Sequence, residues 1–137
     1  MTTADDARNH FRENHHAVLI TRRRDGGVQA SPVAAAVGGG GHIVVSSRET
    51  AMKVKNLRRD PRASLVGIND GWYGSWVQVE GSTEIVGLPD ALEPLVDYYR
   101  SIAGEHPDWD EYREAMRAER RVLIRVTIER AGPNVSG

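Results

Sequence analysis

The sequence predicts an α+β domain dominated by a six-stranded antiparallel β-barrel. Three observations point there. Short apolar runs rich in β-branched residues recur, mostly separated by turns too short for a crossover helix. The strong helical patterns fall after the third and fifth strands instead of alternating with every strand, which disfavours a doubly wound parallel sheet. At 137 residues and 39% apolar, the chain can bury one core but not two, so residues 1–137 are expected to form a single domain.

The elements follow in order. The first dozen residues have the pattern of a short amphipathic helix ending near Phe11, an N-terminal arm over residues 1–14. Ala17 to Arg22 is the first strand, closed by the hairpin signal Asp25-Gly26-Gly27. The triple arginine at Arg22 to Arg24 is read as solvated charge at the hairpin end. Val28 to Val37 is the second strand, and Pro32, lacking an N–H for the ladder, belongs at an edge, a bulge or the strand's start. Its alanines leave room on one face, for a close-packed helix or a planar ligand. Gly38 to Gly41 joins two strands and lacks the G-x-G-x-x-G spacing, so no dinucleotide fingerprint is present. His42 to Ser46 is strand three and Ala63 to Ile68 strand four. Ser75 to Val86 is strand five, with Gly81 a bulge or bend. Pro89 to Ala103 and Asp108 to Ala118 read as helices, and Val122 to Ile128 closes the barrel.

The densest signal runs from Ser46 to Ser64. Ser46 and Glu49 have the S-x-x-E spacing of a capping box, and Pro61 should end the helix by Arg59. Val54 and Leu57 mark its buried stripe, with Lys53 and Asn56 along one edge. A helix start with a lysine in reach suits an anion, because free N–H groups and the dipole both favour negative charge. The competing reading is a solvated surface helix with its cations toward the C-terminus.

Composition narrows the function. A net charge of −1 argues against a general nucleic-acid binder, and the absence of cysteine removes thiol nucleophiles and thiolate metal sites. No run approaches the ~18 apolar residues of a membrane span, and the N-terminus has no apolar signal core, so a soluble, cytoplasmic protein is expected. His15 and His16 are adjacent and would face opposite sides of a strand, and the other histidines are isolated; no metal site is expected. No G-x-S-x-G occurs, and no catalytic residue is assigned.

Four segments, DGGVQASPV, VVSSRETAMKVKNLRRDPRASL, DGWYGSWVQVEG and YYRSIAGEHPDWDEYREAM followed by RRVLI, occur in one order. In these the chain resembles the FMN-binding split β-barrel proteins, the pyridoxamine-phosphate-oxidase-like superfamily, and within it the actinobacterial branch that uses the deazaflavin coenzyme F420. The resemblance runs from about Phe11 to Glu129. It implies a split barrel that homodimerises with the cofactor in a groove between subunits. It further implies cofactor contacts from Lys53 at the phosphate, from Ser46, Asn56 and Lys55, from Pro32 and Val33 along the ring system, and from Trp76 with Trp72. Ala51 stands where this branch often has an arginine, so Arg48 would substitute; Pro32 replaces a frequent asparagine, and Tyr73-Gly74 is an insertion.

Both FMN and F420 are tricyclic with a ribityl phosphate. F420 has carbon in place of N5 and an anionic lactyl-glutamate tail, so it serves hydride-transferring reductases. The basic surplus at Arg48, Lys53, Lys55, Arg58 and Arg59, and the lack of the long C-terminal extension of pyridoxamine-phosphate oxidases, favour F420 over FMN. The expected function is hydride transfer from reduced F420 to a conjugated small molecule such as an enone, quinone or tetrapyrrole. The alternatives are an FMN-dependent relative and a non-catalytic flavin, deazaflavin or haem binder. Tyr73, Tyr98 and His42 are candidate proton donors that spacing does not place.

Overall fold

The computed structural model describes residues 2–133. Helix α1 (Ala4–Glu13) is followed by strands β1 (His16–Arg22), β2 (Val28–Ala34), β3 (Ala36–Val37) and β4 (Ile43–Arg48). Then come α2 (Met52–Arg59), β5 (Arg62–Ile68), β6 (Trp76–Val86), α3 (Leu92–Ala103), α4 (Trp109–Ala118) and β7 (Arg121–Gly132). The strands form one antiparallel sheet in the order β2-β1-β5-β6-β7-β4-β3. The chain steps at Ala35 directly from one edge of that sheet to the other, which curls it into a split barrel. His15 pins the step: its carbonyl accepts from the Ala35 N–H and its ring Nδ1 bonds the Ala35 carbonyl, both at 2.8 Å.

Two cores result. The barrel interior holds Leu19, Ile43, Val45, Leu65, Val77, Val79 and Ile124, closed by Phe11 of α1 and by Val54 and Leu57 of α2. Fully burying each such side chain contributes about 1.5–3 kcal/mol. Outside the barrel, α3 and α4 cover Val44 and Leu123 with Leu95, Val96, Tyr112 and Met116. The remaining outer face, on β2, β1, β5 and β6, carries no helix of its own among the described residues. By strand alternation Pro32, Val18, Val66 and Gln78 lie side by side on it, because Ala17, Leu19, Leu65, Val77 and Val79 point inward.

The antiparallel barrel is as expected, with differences of detail. There are seven strands, because the stretch from Val28 to Val37 divides where the chain changes edges. Pro32 sits on the edge strand β2, and Gly81 marks the bulge, where the β6–β7 register shifts between Glu80 and Gly81. The capping box at Ser46 and Glu49 does not form. Ser46, Ser47 and Arg48 stay in the ladder opposite Leu123, Val122 and Arg121, and Glu49 N–H donates to the Arg120 carbonyl at 3.0 Å. Pairing along a central strand outcompetes the local cap, so α2 begins at Met52 after Ala51, with no side-chain cap. A genuine capping box occurs instead at Thr3 and Asp6 of α1.

Candidate cofactor site

The first turn of α2 keeps its anion-site chemistry without the serine. Among the described residues no acceptor serves the Met52 and Lys53 amides, and neither Lys53 nor Lys55 has a carboxylate partner. The neighbouring arginines differ: Arg58 pairs with Glu49 at 3.1 Å, and Arg48 lies 3.7 Å from Glu119. Lys53 is half-buried beside the core residue Val54, whereas Lys55 is exposed. Two lysines without acidic partners beside free amides suit a phosphate.

Asn56 takes a different place. Its side chain is 3% exposed and turned inward, donating to Thr21 Oγ1 at 3.1 Å and Gln29 Oε1 at 3.3 Å, while Arg59 donates to its Oδ1 at 3.2 Å. These bonds tie α2 to β1 and β2. Ser46 alternates with the inward Val45 and Ser47, so its side chain lies on the α3 side of β4 with Val44. There the Tyr98 hydroxyl donates to the Ala34 carbonyl at 2.8 Å, and burial pushes its pKa up, opposed by the Ser46 backbone amide. Val33 packs against the barrel core.

The aromatic residues lie elsewhere. Trp72 and Trp76 line an apolar groove of about 290 Å³ with Val66, Ile68 and Tyr73. Trp76 begins β6 opposite Ile68 and alternates with the inward Val77, placing it on the outer face with Pro32. Apart from Val33, Ser46 and Asn56, the six remaining predicted residues fall into two groups within one chain. Lys53, Lys55 and Arg48 cluster around the start of α2, and Pro32, Trp72 and Trp76 lie on the uncovered face of the sheet. Of the candidate proton donors, Tyr73 is exposed beside the groove, Tyr98 is committed to Ala34, and His42 Nδ1 is 3.2 Å from the Gly39 carbonyl. The sequence reading did not single out Val66 or Ile68; alternation in Arg62–Ile68 carried that signal.

Comparison with known proteins bears on the fold and the family. The conserved hypothetical protein Rv2991 from Mycobacterium tuberculosis superposes with a TM-score of 0.79 at 24% identity, over 99% of this chain and 86% of that one. A protein described as an F420 reductase gives 0.71 at 18% identity, over 90% and 94% of the two chains. HutZ, the heme storage protein from Vibrio cholerae, gives 0.72 at 16%, over 100% and 96%. At these identities the likeness is one of fold. The sequence itself matches the pyridoxamine 5'-phosphate oxidase family over residues 4–133, nearly its whole length. The chain belongs to that family.

Proposed function

We propose that the protein is an F420-dependent reductase that passes hydride from the reduced deazaflavin to a conjugated small-molecule acceptor. The observation that carries this reading is the first turn of α2, where free amides adjoin Lys53, which forms no ion pair with a carboxylate among the described residues. The cofactor, when bound, supplies the hydride. The chain's own residues bind and orient. Lys53 and the Met52 and Lys53 amides hold the phosphate, with Lys55 and Arg48 contributing long-range positive charge. No nucleophile is required of the protein, because catalysis of this kind rests on holding the reacting carbons ~3–3.5 Å apart.

The separation of the lysine and tryptophan groups supports a homodimer. A second copy that lays its uncovered sheet face, with Pro32 and Trp76, against the α2 side of the first would bring both groups to one groove. That face is apolar at Val18, Val66, Ile68 and Trp76, as a symmetric interface requires. Tyr73, exposed at the edge of the groove, is the candidate donor that can reach a substrate. The test is a turnover assay with reduced F420 against enones, quinones and tetrapyrroles. Oxidation of F420 dependent on protein and acceptor is expected; tight FMN binding with oxygen-dependent turnover, and none with F420, would overturn the reading.

A further inference from the structure

A second basic site lies at the other end of α2, about 10 Å along the helix from its first turn. Arg22, Arg23 and Arg24 of the β1–β2 hairpin, with Arg59, Asp60 and Arg62, surround a pocket of about 530 Å³. Three of these arginines have structural work. Arg23 bonds Asp25 at 3.2 and 3.3 Å, and Arg59 donates to the Arg22 carbonyl at 2.9 Å. Arg62 grips Asp60 at 3.0 and 2.8 Å, and those hydrogen bonds hold the Asp60 pKa at about 2. The lone carboxylate lining the pocket is therefore already committed.

Arg22 and Arg24 form no ion pair among the described residues, although the charge of Arg22 helps keep Asp60 ionised. Continuing the register that sets Ile20 opposite Ser64 brings Arg22 beside Arg62, so the sheet itself crowds two cations together. Like charges so placed repel, and nothing in the fold needs both. The chain as a whole carries −1, so this is a local concentration and not a basic protein. Beyond Arg22 and Arg62 lies a separate groove with Glu80 and Glu129, of which Glu80 faces Arg130 at 3.9 Å.

We propose that the hairpin pocket binds a multiply charged anion bearing phosphate or carboxylate groups, held by the guanidinium groups of Arg22 and Arg24 with support from Arg59 and Arg62. Planar guanidinium forks suit such oxygens better than ammonium groups do. The site is distinct from the first turn of α2 and does not depend on the cofactor reading. The occupant is either a free polyanion or the anionic end of a long cofactor; only the second source rests on the F420 reading.

The test is calorimetric titration of the full chain with pyrophosphate at low ionic strength, where surface charge is least screened. In the Lys53→Ala background, where the first turn of α2 no longer competes for the anion, one saturable site is expected, weakened by about 10-fold or more when Arg22→Gln/Arg24→Gln is added. Both arginines are exposed, so the double variant should keep the native melting temperature. Absence of saturable binding, or binding that Lys53→Ala removes and the arginine pair does not, would overturn the proposal. Displacement of F420 by pyrophosphate bound at the arginines identifies the cofactor's anionic end as occupant; simultaneous binding identifies a separate anion.

Discussion

Replacing Asn56 by alanine should cost stability first and cofactor affinity second. The amide donates to Thr21 Oγ1 and Gln29 Oε1 and accepts from Arg59. Thr21 is 1% exposed, so its hydroxyl would lose its partner in a buried position. Each neutral bond contributes about 1 kcal/mol net, and stranding a buried polar group costs about 1–3 kcal/mol. The Arg59 bond, near the surface, adds little. The sum is about 2–4 kcal/mol, because the Thr21 term dominates and the half-buried Gln29 keeps its Nε2 bond to Ser31 Oγ at 3.2 Å. For a chain of this length that is a fall of roughly 6–14 °C in Tm. Urea denaturation of Asn56→Ala against the parent measures it, with Lys53→Ala as a control expected within about 0.5 kcal/mol. An unchanged midpoint for Asn56→Ala, with cofactor binding lost, would refute the structural role and return Asn56 to the ligand.

Three further outcomes follow from geometry. A Cβ on Gly81 would collide with the Thr127 carbonyl oxygen, so Gly81→Ala must open the β6–β7 bulge; a loss of about 3 kcal/mol or more is expected by denaturation, and a native midpoint would contradict it. His10 is 6% exposed with Nε2 unpartnered, and burial lowers its pKa below the ordinary 6.5. The folded chain thus binds fewer protons there than the unfolded one. This contribution is intact above pH about 6.5 and lost as pH falls through the folded pKa, so the parent should weaken faster below about pH 6.5 than His10→Leu does. Trp76→Ala should raise the dimer dissociation constant by about 10-fold or more in sedimentation equilibrium and reduce turnover; a monomeric parent would contradict the shared groove.

The sequence revealed the barrel more readily than the site, for physical reasons. Period-two patterns such as Trp76 to Val86 survive in any sheet, so antiparallel pairing, the Pro32 edge and the Gly81 bulge were all legible. The break at Ala35 was not, because a small-residue run reads as one strand wherever the sheet curls. The start of α2 moved because ladder bonds from Ser46 to Arg48 outweigh a local cap, a balance that depends on β7, more than 70 residues away in the chain. Lys53 could be located from helical spacing alone. That Asn56 faces Thr21, and that Trp76 lies on the outer face away from Lys53, depends on how the sheet closes. Arg22 and Arg62 converge for the same reason.

The central claim is that the first turn of α2 holds the phosphate of a deazaflavin. It is tested most directly by titrating F420 fluorescence with the parent, Lys53→Ala and Lys55→Ala. Loss of a charge-assisted hydrogen bond predicts a penalty of about 1.5–3 kcal/mol for Lys53→Ala. Lys55, exposed and ~200° around the helix, should cost much less. Equal losses in both variants, or an unchanged affinity for Lys53→Ala, would contradict the account.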